Sequence, residues 1–96
     1  MNSYPCNFSI SLDAPEITHI SNDRIVNEGD EVTLNCIADG NPEPRITWTR
    51  VSDKSVITFP LTTKEQDEGY YRCTADNGIG RPVTSDVLIV VGSKSF

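Results

Sequence analysis

Short β-branched and aromatic runs recur along this chain, separated by clusters of Gly, Pro, Asn and Asp. That punctuation predicts strands and turns, and no window carries an apolar stripe at helical spacing. Phe8, Ile10 and Leu12 alternate with Asn7, Ser9 and Ser11, a short strand pattern that Asp13, Ala14 and Pro15 interrupt like a linker. Ile17 and Ile20 flank a first edge strand, with Ile25 and Val26 read as its continuation after a break at Ser21, Asn22 and Asp23. Past a turn at Glu28, Gly29 and Asp30, the residues Val32, Leu34 and Cys36 alternate with Thr33, Asn35 and Ile37, so the apolar set faces a core. A loop is expected from Asp39 to Pro44. Ile46 and Trp48 are then inward, with Arg45, Thr47 and Thr49 outward. After a turn at Ser52 to Ser55, Ile57, Phe59 and Leu61 form another inward set, and Pro60 marks a strand edge or end. A polar crossover, Lys64 to Gly69, leads to a strand with Tyr71, Cys73 and Ala75 inward and Tyr70, Arg72 and Thr74 outward. Asp76-Asn77-Gly78 is a hairpin signal, because Asn and Gly accept positive φ at low cost. The last strand, Val83 to Val91, is too apolar to alternate cleanly.

Six or seven short strands with a turn every ten residues or so predict an all-β fold of two packed antiparallel sheets. The 96 residues suffice for one domain. Such a chain buries roughly 65% of its unfolded surface, so a covalent staple would help. Eight Lys and Arg against 14 Asp and Glu give a net charge of −6. That balance argues against nucleic acid and against anionic lipid surfaces as partners. No apolar run is long enough to insert in a membrane as a helix. A basic-then-apolar leader is missing, which fits either a cytosolic chain or a piece of a longer secreted or membrane-anchored parent.

Candidate chemistry is sparse. The single histidine, His19, reads as a solvated edge residue rather than a ligand. It allows no redundant nucleophile–base set, so no enzyme and no cofactor are expected. Three widely spaced cysteines do not suit zinc. Glu28, Asp30 and Glu31, and likewise Glu65, Asp67 and Glu68, resemble calcium clusters only superficially. Calcium takes six to eight oxygens from a shaped loop, so both groups are read as solvated turns and no metal is expected. Gly78-Ile79-Gly80 belongs to a hairpin, not to a nucleotide site.

One constellation stands out. Cys36 and Cys73 occupy inward strand positions, Trp48 stands 12 residues after the first, and Tyr71 two residues before the second. A disulfide between those strands would tie the two sheets, with the indole packed on it. Closing that loop would contribute about 4 kcal/mol in the chain-entropy model. Two reduced, buried thiols are the other reading.

The segments Gly29-Asp30-Glu31-Val32-Thr33-Leu34-Asn35-Cys36, Gly40-Asn41-Pro42-Glu43-Pro44-Arg45-Ile46-Thr47-Trp48 and Asp67-Glu68-Gly69-Tyr70-Tyr71-Arg72-Cys73 carry a family pattern. So does Cys73-Thr74-Ala75-Asp76-Asn77-Gly78-Ile79-Gly80. With them the chain resembles an immunoglobulin-superfamily domain of the intermediate (I-set) or C2 type over 14–92. Residues 1–13 would be a leading segment or the remnant of a preceding domain, and 93–96 a tail. The resemblance implies a Greek-key sandwich of about seven strands, with Leu34, Trp48, Asp67, Gly69 and Tyr71 in structural roles. Tyr71 would bond upstream backbone near Asp67. Gly69 would relieve crowding in that turn, and Asn77 and Gly80 would shape the final hairpin. Two departures matter. The cysteines are 37 residues apart and Trp48 precedes Cys73 by only 25, which predicts middle strands very short or missing and excludes the variable type. Asp67 lacks a basic partner at the usual distance upstream, and Lys54 is the nearest candidate.

The function so implied is an extracellular protein-binding module of a cell-surface adhesion molecule or receptor. It would work by protein–protein recognition, homophilic recognition included, among tandem domains. The alternative is a structural spacer domain of an intracellular filament or muscle protein, which would keep its thiols reduced. Fold does not choose between them. Asn7-Phe8-Ser9 is a glycosylation acceptor, which favours the first, and Cys6 is the odd cysteine. The candidate binding face is the outward set Arg45, Thr47, Thr49, Tyr70, Arg72 and Thr74, weighed against an ordinary solvated sheet face. The loops at Asn41 to Pro44 and Asn77 to Arg81 are the next candidates.

Overall fold

The computed structural model describes residues 11–92. Cys6, the Asn7 acceptor, the Phe8 and Ile10 part of the first strand pattern and the 93–96 tail lie outside them. The order is β1 (Asp13–Ile20), β2 (Arg24–Asn27), β3 (Glu31–Val32), β4 (Cys36–Asn41), β5 (Arg45–Arg50), β6 (Leu61–Thr62), a 3₁₀ turn (Glu65–Asp67), β7 (Gly69–Asp76) and β8 (Val83–Gly92). One layer is a four-stranded sheet in the order β2-β8-β7-β5. The other is split into the pairs β1-β4 and β3-β6. This is the expected all-β sandwich.

The long strands follow their composition. β7 and β8 are rich in β-branched and aromatic residues that suit a half-buried pleated surface. Their alternation fills the space between the layers: Tyr71, Cys73, Ala75, Val87 and Ile89 are all but fully buried. Val32, Leu34, Trp48 and Val91 complete the buried core, with Ile17, Ile20, Val26, Cys36, Ile57, Phe59 and Leu61 packed against it. The Trp48 and Phe59 rings meet edge-on, 5.6 Å between centroids. β8 does alternate after all: Val87, Ile89 and Val91 are buried, while Leu88 and Val90 are half-buried on the outer face. Apolar residues on both faces hid that register.

The shortened middle is present as expected. Between β5 and β6 a single bridge, Thr49 to Val56, is all the pairing that region makes, and β3 and β6 have two residues each.

Four expectations are corrected. Asp13, Ala14 and Pro15 do not interrupt a strand; they open β1, with Asp13 opposite Asn41. Pro15 has no N–H to give, and it falls where the β1–β4 register shifts between Asp13 and Glu16. Second, Ile25 and Val26 do not continue β1. The chain changes layer across Ser21 to Asp23, and β2 pairs parallel with β8, so the sheets are not purely antiparallel. The expected loop at Asp39 is third: β4 runs on to Asn41. Last, the run from Val32 to Cys36 is not one strand: Val32 ends β3, which pairs with β6, and Cys36 opens β4, which pairs with β1, while Ile46, inward like Trp48 and opposite the buried Ala75, is still 36% exposed.

Candidate functional site

Beneath the candidate face lies its support. Cys36 and Cys73 form a disulfide with Cα atoms 6.5 Å apart. It joins β4 of the split layer to β7 of the four-stranded sheet, and Trp48 lies directly across from Cys73 in the β5–β7 ladder. Structural disulfides belong to oxidising, extracellular environments.

At the lower end, Asp67 is 7% exposed and is the centre of a corner. The fully buried Tyr71 donates its hydroxyl to the Asp67 carbonyl at 2.6 Å. Arg50 donates through Nη2 to Asp67 Oδ1 at 2.7 Å, and the Lys64 N–H donates to Oδ2 at 2.8 Å. The Arg50 guanidinium also stands 5.7 Å from the Tyr71 ring centroid. Its protonated form is held above the ordinary guanidinium range by the Tyr71 side chain first, then by Asp67 and Asp53, against the opposing effect of burial. The basic partner of Asp67 is therefore Arg50 and not Lys54, which sits at φ 62 in the turn after β5. Arg50 follows Trp48 by two, so strand alternation places both on the inner side. Asp67 also does not belong to a solvated acidic turn, and its neighbour Glu68 accepts the Val91 N–H at 3.0 Å. Gly69 has φ 146, a conformation L-residues rarely adopt, yet a Cβ there would meet nothing within 4 Å. Backbone angle, rather than crowding, demands glycine there.

Two residues that the sequence did not single out as anchors hold the loops. Thr63 is fully buried. Its hydroxyl lies 2.9 Å from the Asp30 carbonyl and 3.2 Å from that of Asn27. Asn77, expected only to shape a hairpin, joins three segments. Its Nδ2 donates to the carbonyls of Asp13 at 2.7 Å and Pro42 at 2.8 Å, and its Oδ1 accepts the Ile79 N–H at 3.0 Å. Gly78 and Gly80 in the same loop have φ 79 and 67. His19 is exposed on β1, paired with Ile37.

The outward residues form one surface on the four-stranded sheet. Thr47 lies opposite Thr74, Thr49 opposite Arg72, and Arg45 opposite Asp76. Tyr70 is 55% exposed. Arg72 bonds Asp86 on β8 through Nε at 2.9 Å and Nη2 at 3.2 Å. That fork raises the Arg72 pKa through the Asp86 hydrogen bonds and charge. Leu88 lies opposite Tyr70, and Ile25, 85% exposed, lies opposite Val90. The face therefore extends onto β8 and β2, where the unclear alternation of β8 concealed it. Among the described residues there is no group of three or more metal-ligating side chains. No helix of the described residues is long and apolar enough to cross a membrane.

Comparison with known proteins gives the same picture. A family model described as immunoglobulin domain matches residues 14–77. The human protein Brother of CDO is 42% identical over 76 residues, covering 67% of this chain and 7% of that protein. Neuronal growth regulator 1 of Gallus gallus is 36% identical over 85 residues, covering 81% of this chain and 24% of that protein. The chain thus spans less than a quarter of either relative's length. In the crystal structure of Dpr11 IG1 bound to DIP-gamma IG+IG2, one chain matches with a TM-score of 0.76 and 29% identity, over 83% of this chain and 48% of that one. With the fold, the bridge, the tyrosine corner and these relatives in agreement, the chain belongs to the immunoglobulin domain family.

Proposed function

We propose that this domain is an extracellular, adhesion-type protein-binding module, acting within a larger cell-surface protein through the outer face of its four-stranded sheet. One observation carries the reading: Tyr70 stands more than half exposed beside the forked Arg72–Asp86 pair, on the outer face of the four-stranded sheet. Tyr and Arg are enriched at interface hot spots because they bury much area and keep a polar tip. The rigid sheet beneath, tied by the disulfide, keeps the ordering cost of binding low. The similar chain in the crystal structure of Dpr11 IG1 bound to DIP-gamma IG+IG2 belongs to a complex between immunoglobulin-domain proteins, which supports a partner of that kind here.

The test is a Tyr70→Ala, Arg72→Glu double variant in the intact parent protein. Both side chains are accessible, so the variant is expected to fold. Loss of partner binding is expected. Unchanged binding by a folded variant would refute the reading and turn attention to the loops at Asn41 to Pro44 and Asn77 to Arg81.

A further inference from the structure

The geometry points to the start of β1 as a locked joint. The chain entering the domain at Ser11–Asp13 is held to both layers by Asn41 and Asn77, so that whatever precedes this domain in its parent is carried in a fixed direction. This holds whichever surface of the domain meets a partner.

The ends of a domain are poorly ordered unless something ties them down. Here three ties fall within three residues. Asn41 Nδ2 donates to the Ser11 carbonyl at 2.6 Å. The Asn41 backbone lies opposite Asp13, the outermost pair of the β1–β4 ladder. Asn77 Nδ2 donates to the Asp13 carbonyl at 2.7 Å. The two side-chain amides thus take alternate carbonyls of the entering chain, with Leu12 between them. They continue the hold on the backbone past the point where strand pairing stops.

Two glycines are placed as this clamp requires. Gly40 lies within β4 and is not one of the glycines with positive φ. A glycine inside a strand weakens it and often marks a close approach by another part of the chain. A Cβ at Gly40 would stand 2.9 Å from Asn77 Nδ2, 3.0 Å from Pro44 Cγ and 3.3 Å from the Asp13 carbonyl oxygen. Gly40 is therefore the space through which Asn77 reaches Asp13. On the opposite side, a Cβ at Gly80 would come within 3.2 Å of the Ala14 Cβ. A chain end left free to fray would need neither glycine.

The origin of the ties sets their consequence. Asn41 ends β4 of the split layer, and Asn77 belongs to the loop joining β7 to β8 of the four-stranded sheet. Asn77 also bonds the Pro42 carbonyl, at 2.8 Å, which fixes the two loops to each other. The entering chain is thereby fixed relative to both layers, and the outer sheet face is presented at a set angle to the preceding unit. A domain held in one orientation loses less freedom on meeting a partner than one that swings on a tether.

Nitrogen-15 relaxation on the 96-residue chain reads the lock directly. The backbone order parameters of Ser11, Leu12 and Asp13 are expected near the rigid value of about 0.85. Asn41→Ala and Asn77→Ala should each lower those of Ser11 and Leu12, and together bring them under about 0.6. Gly40→Ala should act like Asn77→Ala, although it removes no hydrogen-bonding group. Native values already under about 0.6 would overturn the lock. So would values that the Asn41→Ala, Asn77→Ala pair leaves unchanged. Asn41 is exposed, so if Asn77→Ala or Gly40→Ala fails to fold, Asn41→Ala alone decides: an unmoved Ser11 overturns the proposal. In the intact parent, a genetically encoded spin label in place of exposed Thr62 and a second on the preceding unit measure the joint. A narrow distance distribution is expected, broadening in the Asn41→Ala, Asn77→Ala variant, and a broad one in the native parent would overturn the proposal. Neither measurement touches Tyr70 or Arg72, so its failure is distinguishable from failure of the binding-face reading.

Discussion

Replacing Asp67 by alanine removes two hydrogen bonds and leaves a charge behind. Arg50 loses its 2.7 Å acceptor, the Lys64 N–H loses its 2.8 Å acceptor, and the guanidinium stays largely enclosed with Nε already unpartnered. A hydrogen bond to a charged group contributes about 1.5–3 kcal/mol net, and a capped N–H about 1 kcal/mol. The Arg50 side chain is 22% exposed, so water recovers part of the loss. Asp67→Ala is therefore expected to cost about 3 kcal/mol. Arg50→Met, which keeps the packing on Tyr71, should cost about 2 kcal/mol. The double variant should cost less than the sum, leaving a coupling energy of about 1.5–2 kcal/mol. Urea unfolding followed by Trp48 fluorescence gives all four corners of the cycle. A coupling energy under about 0.5 kcal/mol would refute the reasoning, placing the pair with ordinary surface ion pairs.

Tyr71→Phe should destabilise by about 1–2 kcal/mol in the same assay, because the buried Asp67 carbonyl loses its donor, whereas Tyr70→Phe should be silent; equal costs at the two sites would contradict the register. Asn77→Ala should cost about 1–2 kcal/mol and release the Asp13 and Pro42 segments, seen as faster amide hydrogen exchange at Ala14 and Gly40 while β7 and β8 stay protected. Asp53 is held below its ordinary pKa of 3.8, first by the Ser55 hydroxyl and N–H and then by Arg50. Its stabilising contribution is thus present above that value and is lost as pH falls below it. Ser55→Ala should move the Asp53 carboxyl resonance titration back upward, and an unmoved titration would contradict that cause.

The buried centre was legible because it obeys two simple rules. Alternation put Leu34, Tyr71 and Cys73 inward, and the family pattern that Cys36, Trp48 and Cys73 help to carry implied which strands face each other. Contacts that depend on register across strands were harder to see. Arg50 meets Asp67 because β5 pairs with β7 so that Arg50 lies opposite Tyr71, and a search along the sequence for a nearby cation picked Lys54 instead. The layer change between β1 and β2 was hidden because both segments are equally β-prone and no pattern marks which neighbour each will find. Asn77 looked like a turn residue, and its long-range bonds to Asp13 and Pro42 have no local signature. The outer face was half legible for the reason already visible in β8. Where both faces of a strand are apolar, alternation cannot separate Leu88 and Val90 from Val87 and Ile89.

The claim that this domain recognises protein through its four-stranded sheet is tested most directly by placing a bulky sugar on each layer in turn. Thr47→Asn creates an Asn-Trp-Thr acceptor on the outer face of β5, and Glu16→Asn creates an Asn-Ile-Thr acceptor on exposed β1 of the opposite layer. Both would be made in the intact parent on cells, with glycan attachment confirmed by mass. Partner binding or cell aggregation should be lost with the Thr47→Asn glycan and kept with the Glu16→Asn glycan. The reverse outcome, or full binding with the sugar on Thr47→Asn, would contradict the account.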